Sequence, residues 1–298
     1  MNALGIDSGG TSVKAAWLTE DAPAARTGTS DRYARPSLDQ LASAVREAVE
    51  QLGPLEPTGP IGPLGSVSPA AVACCAPGQP EPDARTIRFS ANIPSLNGVD
   101  VCAWLRGTLG LDTEPALLPD AVAAAIGSHH ARPAPGRLLT LAMGTGIGAA
   151  LLEDGAPARL GSNPPGLVGH VGQIDVSLTD DAPIGPDAGR GSLEAYCGLP
   201  ALRARFGPSD DDLRAALANL DEHDPALRAL ARAIRIATAI YTPDHVRLLG
   251  GVGLLLEPSL PALRTLIQRD LTRVARDHWT RTCADDPHLA AVGAALSA

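Results

Sequence analysis

Apolar residues alternate with small or polar ones through two short stretches, each of which doubles back on a glycine turn. In LGIDSGGTSVKAAWL (4–18), Leu4, Ile6, Val13, Ala15 and Trp17 hold alternate positions, and in LLTLAMGTGIGAALL (138–152) Leu139, Leu141, Ile147, Ala149 and Leu151 repeat the pattern. A period of two on both sides of a glycine turn predicts a β-hairpin in each stretch. The period lengthens to three and four through Leu38, Leu41, Val45, Val49 and Leu52, after Pro36 and Ser37 and before Gly53. That spacing predicts an amphipathic helix with a start and a stop. Farther on, AVACCAPG (71–78) reads as a buried strand, 99–111 as a helix, 115–118 as a strand and 121–129 as a short helix. The proline- and glycine-rich run 54–69 reads as a surface connection, and 153–191 as mostly loop. From 192 onward the pattern is helical over 193–206, 210–220, 225–241, 258–280 and 287–296, interrupted by a strand ending in glycines, VRLLGGVG (246–253).

With 298 residues and 45% hydrophobic content, the chain is long enough for two lobes. The pattern places an N-terminal α/β lobe over 1–120 and a C-terminal α/β lobe over 121–298, with the closing helix packing back on the first. A net charge of −9 argues against nucleic acid or an anionic membrane surface as a partner. Lys14, in the first hairpin, is the sole lysine among otherwise arginine cations. Cys74, Cys75, Cys102, Cys197 and Cys283 are odd in number and lack C-x-x-C spacing, which predicts neither a disulfide framework nor a zinc ribbon and fits a reducing cytoplasm. No window is long and apolar enough to span a membrane, and no signal-peptide pattern opens the chain.

Glycine turns let backbone N–H groups approach a phosphate, although a plain hairpin turn uses the same residues. Two copies half a chain apart strengthen the phosphate reading and suggest a duplication. GGTSVKAA runs into a strand, so it is not a dinucleotide-binding turn, and no G-x-x-x-x-G-K-[ST] occurs.

In their order, these segments resemble the ROK family of sugar kinases, within the actin-like, hexokinase and Hsp70 superfamily, over essentially the whole chain. GIDSGGTSVKAA resembles the first phosphate loop, AMGTGIGAALLEDG the second and LLGGVG the adenosine-contacting turn. APGQPEPDARTIRFSANIPSLNGVDV, PDAVAAAIG, GLVGHVGQID and GSLEAYCGLPAL are similar to segments around the sugar and the catalytic aspartate. The resemblance implies a two-lobed actin-like (ribonuclease H-like) α/β fold with an interlobe cleft. It further implies ATP- and Mg²⁺-dependent phosphorylation of a hexose or modified hexose by a homodimer, as in glucokinases.

On those positions Asp120 is the general base, taking the proton of the attacking hydroxyl; by its place before AVAAAIG it is equally an N-cap. Asp7 partners Mg²⁺ through water, or stabilises its turn. Gly9, Gly10, Thr11 and Lys14, then Gly144, Thr145 and Gly146, then Gly250, Gly251 and Gly253 fall on nucleotide-binding positions. Lys14 either neutralises phosphate or points to solvent. Gly78, Asn97, Asp120, His170 and Glu194 fall on sugar-binding positions, which suits the need for amide, imidazole and carboxylate groups aimed at hydroxyls. Taken singly, Asn97 before Gly98 is a turn signature and Glu194 a solvated helix residue.

Three departures stand out. Pro119 replaces the Asn that usually precedes the catalytic aspartate, and Leu167 replaces a glutamate three residues before the histidine. Many family members hold a structural zinc with that histidine and three cysteines; here the cysteine positions are Gly185, Asp187 and Ser192. No structural zinc is expected, and His170 is left for sugar alone. The acidic stretch 175–187 reads as a solvated loop or a cation site. The lost contacts leave a non-catalytic sugar or nucleotide sensor as the rival reading. A DNA-binding repressor is not expected, because the chain opens directly on the first phosphate hairpin.

Overall fold

The computed structural model describes residues 2–20, 24–53, 71–161, 164–177, 179–185, 188–271, 280–283 and 286–298. The connection expected over 54–69 lies outside these residues, as does most of the C-terminal half of the helix expected over 258–280. The chain forms two compact units, 1–132 with 288–298, and 133–287. The division therefore falls at 132/133 instead of 120/121, because the helix that starts at Asp120 runs to Ala131 and stays with the sheet it packs on.

The first unit is built on a sheet of β1 (Ala3–Ser8), β2 (Val13–Leu18), β3 (Arg26–Thr29), β4 (Ala71–Ala76) and, beyond a small antiparallel sheet of β5 (Gln79–Pro80), β6 (Thr86–Phe89) and β7 (Val99–Asp100), β8 (Ala116–Pro119). The main sheet has the order β3-β2-β1-β4-β8, antiparallel across the hairpin and parallel from β1 through β4 to β8. Its helices are α1 (Leu38–Glu50), α2 (Val101–Leu109), α3 (Asp120–Ala131) and the C-terminal helix Leu289–Leu296. Ser37 starts α1 with a capping box: its side chain accepts from Gln40 N–H while the Gln40 side chain accepts from Ser37 N–H.

The two faces of this sheet are made differently. Leu4, Ile6, Val13, Ala15 and Trp17 point to one face and bury against Leu41, Val45 and Ala48 of α1 and Leu105 of α2. On the other face stand Gly5, Ala16, Ala73 and Cys75, against the C-terminal helix and α3. The alternation is therefore large against small, and every residue of β1 is buried. A Cβ on Gly5 would collide with the backbone at Ala291 and Ala295, one on Gly127 with Leu289, and one on Gly293 with Ala123. Helix backbone sits directly on sheet and helix backbone there, which only such small residues permit.

The second unit repeats the plan with β9 (Arg137–Met143), β10 (Ile147–Glu153), β11 (Ala156–Pro157), β12 (His245–Leu249) and β13 (Thr280–Cys283) in the order β11-β10-β9-β12-β13. β9 and β10 are the antiparallel hairpin, and β9, β12 and β13 run parallel. Between the hairpin and β12 lie α4 (Leu193–Cys197), α5 (Leu199–Phe206), α6 (Asp210–Leu217) and α7 (Pro225–Tyr241); α8 (Gly250–Leu255) and α9 (Leu260–Arg269) follow. Leu139, Leu141, Ile147 and Leu151 bury with Leu227, Leu230 and Ile234 of α7. Asp224 caps α7 by accepting from the N–H groups of Ala226 and Leu227, and it pairs with Arg205.

The single helix expected over 193–206 is broken at Gly198, which adopts extended geometry with φ −67° and ψ 146°. Leu199 N–H there leaves the helix ladder and donates to Gly144 O at 2.9 Å. The helix expected from 258 begins as a 3-10 turn, Glu257–Ser259, before α9. Among the described residues no helix is long and apolar enough to cross a membrane.

Candidate active site

In the first unit the central group is Asp7. It lies on β1 opposite Lys14 of β2 and Cys75 of β4, so strand register alone sets three side chains together on the small-residue face. Lys14 Nζ reaches Asp7 Oδ2 at 3.4 Å, and the Cys75 thiol donates to Asp7 Oδ1 at 3.7 Å. Asp7 is buried, with 7% of its surface exposed. Lys14 is thus turned toward Asp7, and neither of the two placements expected from the alternation describes it fully. Burial, together with the charges of Asp7 and Asp120, pushes the Cys75 thiol well above its usual range, so it is a donor and no nucleophile.

The turn beyond Asp7 is closed by Gly9 N–H donating to Ser12 O at 3.1 Å. A Cβ on Gly9 would stand 2.9 Å from that same oxygen, and no positive φ is involved. Thr11 is exposed at the tip, and Gly10 half-buried.

Asp120 opens α3 directly after β8. Pro119 is the N-cap and has no side-chain hydrogen bond to give, so Asp120 is the first helical residue and not the cap. Its Oδ1 accepts from Ala121 N–H at 2.8 Å. Burial raises the carboxyl to about 6, Asp7 adds to the rise, and hydrogen bonds from the backbone of Ala121 and Asp120 oppose it. A carboxyl near 6 suits proton transfer at neutral pH: it is ionised before the reaction and basic enough to accept a hydroxyl proton. Gly78 lies just past β4 at φ +143°, where a Cβ would meet Phe89 O at 2.7 Å. Asn97 is exposed, but its Oδ1 already accepts from Ser90 N–H at 2.6 Å, which leaves the amide NH₂ as the group free to meet a ligand.

In the second unit, the turn 144–146 is held from behind. Glu194 of α4 accepts from Ile147 N–H at 2.7 Å through Oε1 and from Gln173 Nε2 at 2.9 Å through Oε2. A Cβ on Gly146 would lie 2.8 Å from Glu194 Oε1, and one on Gly172 2.5 Å from the same oxygen. Glu194 is therefore no solvated helix residue; it fastens the second glycine turn to a 3-10 turn, Val171–Gln173, that begins at His170. His170 is exposed, and its carbonyl accepts from Gln173 N–H at 2.9 Å. Thr145 is exposed at the tip. Leu167 forms an isolated bridge to Ala150 on β10 and presents no polar atom of its side chain.

Gly250 has φ +79°, and a Cβ there would stand 2.5 Å from Met143 O, so the glycine is needed where α8 leaves β12 beside the end of β9. Gly251 and Gly144, by contrast, have nothing within 4 Å of where a Cβ would be. Their backbone is open to close approach. A Cβ on Gly253 would meet the backbone of Leu248 at 3.0 Å, so that glycine serves packing within the unit.

At the positions aligned with zinc-binding cysteines, Gly185 packs on Ser192, whose Oγ accepts from Ala195 N–H to cap α4. Asp187 lies outside the described residues. Arg190 ties the stretch together by donating to the carbonyls of Asp180 and Ala182, both at 3.1 Å. Among the described residues no group of three or more His, Cys, Asp or Glu could hold a metal ion on its own.

Three further residues at these turns carry no sequence signal by type or spacing: Cys75 under Asp7, Gln173 on Glu194, and Tyr33, whose hydroxyl donates to Gly9 O at 2.6 Å. Each is found only once distant segments are paired.

Comparison with known proteins bears on the fold and the family of the chain. The chain is 27% identical over 258 residues to an uncharacterized protein of Clostridium perfringens, covering 83% of this chain and 80% of that one. Its fold matches a ROK hexokinase from Thermus thermophilus (TM-score 0.68, 24% identity, 100% and 98% of the two chains). It also matches a ROK family glucokinase from Streptomyces griseus, solved with glucose and AMPPNP (TM-score 0.73, 20% identity, 100% and 99% of the two chains). These likenesses bear out the α/β actin-like fold. The model of the ROK family matches residues 3–297, nearly the whole length, and the chain is a member of the ROK family.

Proposed function

We propose that the protein is an ATP-dependent sugar kinase in which Asp120 is the general base. The observation that carries this reading is the Asp120 carboxyl, raised to about 6 at the start of α3 in the same unit as the Asp7 turn. In the reaction, the oxygen of a sugar hydroxyl forms a bond to the γ-phosphorus, the bond from that phosphorus to the β–γ bridging oxygen breaks, and Asp120 takes the hydroxyl proton. The acceptor is a hexose or modified hexose.

The open backbone at Gly144 and Gly251 supports the fit of a nucleotide, since nothing occupies the space a side chain would take. In the first unit Gly9, Gly10 and Thr11 would hold phosphate, and in the second Gly144, Thr145 and Gly146 would do so, with Gly250 and Gly251 along the adenosine and Gly253, packed on Leu248, supporting that turn from behind. Both Asp7 oxygens already have partners in Lys14 and Cys75, so Asp7 would hold Mg²⁺ through water and not directly. When bound, Mg²⁺ would offset phosphate charge. Lys14, paired to Asp7, limits the negative charge that Asp7 presents to the incoming phosphates.

On the sugar side, Gly78, the Asn97 amide NH₂ and His170 would meet the hydroxyls, with Glu194 acting chiefly on the second turn. The reading has the protein working in the cytoplasm as a homodimer. A coupled ADP-release assay across a panel of hexoses and modified hexoses tests it: sugar-dependent ADP release that Asp120→Asn abolishes supports it, and full activity in that variant sinks it. Pro119, which offers no amide, and Leu167, which offers no carboxylate, favour one alternative, a sensor that binds sugar or nucleotide without turnover. The same panel separates the two, because a sensor binds AMPPNP and releases no ADP.

A further inference from the structure

We infer that Tyr33 is the positioning residue of the first phosphate turn, acting through two carbonyls to aim the N–H groups of Gly10 and Ser12 at the nucleotide's phosphates. This rests on the kinase reading above and adds a residue outside the glycine motif.

The inference follows from the plane of the peptide bond. The Tyr33 hydroxyl donates to Gly9 O at 2.6 Å, and the Tyr33 main-chain N–H donates to Thr11 O at 2.9 Å. In a trans peptide the C=O and the next N–H point in opposite directions. Each carbonyl is drawn to its own Tyr33 donor, so the Gly10 N–H is turned away from the hydroxyl and the Ser12 N–H away from the Tyr33 main-chain N–H. Among the described residues neither N–H makes a backbone hydrogen bond. Paired N–H groups from alternate residues of a turn form an anion-binding concavity.

Tyr33 is itself well anchored. Ser30 accepts from Val13 N–H through Oγ at 2.9 Å and donates its own N–H to Val13 O at 2.9 Å, while Asp31 N–H donates to Glu47 on α1 at 3.0 Å. The ring packs on the core shared by the sheet and α1. Burial and the charge of Asp7 push the phenol upward from its usual 10, so it remains a donor throughout the working pH range.

Tyr33→Phe keeps the ring and the main-chain bond and removes one tether. Calorimetric titration of the full chain with Mg-AMPPNP, and competition with adenosine, provides the test. Losing one hydrogen bond's worth of orientation should weaken AMPPNP about 3- to 10-fold and leave adenosine, which has no phosphate, within about twofold. The KM for ATP should rise in step, with the thermal midpoint lowered by no more than about 2–4 °C. Equal AMPPNP affinity in both proteins overturns the inference, as does an equal loss for AMPPNP and adenosine with a midpoint lowered beyond that range. If the wild type itself takes up no AMPPNP, the kinase reading fails first and Tyr33 loses its role with it.

Discussion

The two glycine turns stand on sheets of the same strand order, yet they are fastened by opposite kinds of group. In the first, Tyr33 acts on carbonyls as a donor, and Asp7 is held within its own sheet by Lys14 and Cys75. In the second, Glu194 acts on an N–H as an acceptor from a helix, and Leu199 N–H takes Gly144 O where that run of helix breaks. The two units share a backbone plan and differ in how its turns are fastened. A strand order survives because it depends on hydrophobic burial spread over many residues, whereas a tether depends on one side chain and is replaced by any other that reaches.

The strongest way to sharpen this contrast is chemical. Asp120→Asn should lower turnover about 10²- to 10⁴-fold while AMPPNP affinity stays within about twofold, since only the base is lost. In the wild type, kcat/KM should fall as pH drops below about 6, where Asp120 takes up its proton. The stability consequence has the opposite sense. A carboxyl raised in the folded state favours folding below its unfolded value near 3.8, and that contribution is lost as pH rises through about 6. Asp120→Asn should therefore raise the thermal midpoint at pH 8 and leave it unchanged at pH 3.5; a lower midpoint at pH 8 would count against the burial of this group.

Glu194→Ala comes next. It strips acceptors from Ile147 N–H and the Gln173 amide together, for a loss of about 1–3 kcal/mol in urea denaturation and weaker AMPPNP binding. Unaltered stability would mean that the second turn is held by its backbone alone. Gly250→Ala should cost about 1–2 kcal/mol, because a Cβ there is strained at positive φ and faces Met143 O. The smallest effect belongs to Gly251→Ala, within about 0.5 kcal/mol in stability, as its Cβ enters open space. Any defect in that variant should appear in nucleotide affinity, and a large loss of stability would break the distinction between the two neighbouring glycines.

Both hairpins, α1 behind Ser37, α7 over Pro225–Tyr241 and the strand into α3 were legible because local period and capping residues decide them. The large-against-small logic of β1 was half legible: Leu4 and Ile6 announced one buried face, but Gly5 makes sense only once the C-terminal helix lies on it. Asp120 could be located by sequence, while its displacement from the cap by Pro119 could not, since the turn geometry decides which residue enters the helix first. Glu194 carried no local sign of its target. Ile147 lies 47 residues away in sequence, so the pair depends on tertiary packing that no local pattern announces. Asn97 kept its turn role and its partner Ser90, because a side-chain carbonyl near an open N–H in a tight loop satisfies the nearest donor.

The C-terminal helix has a consequence for how the protein is made. Residues 288–298 complete a unit whose other residues are the first 132 of the chain. The Gly5, Gly127 and Gly293 contacts that seal this unit cannot form until all of the second unit has been synthesised. The second unit, contiguous from 133 to 287, can gather its core while the chain is still emerging from the ribosome; the first must wait with one sheet face uncovered. Of the two units, the one whose translation starts first is thus the one whose folding is completed second.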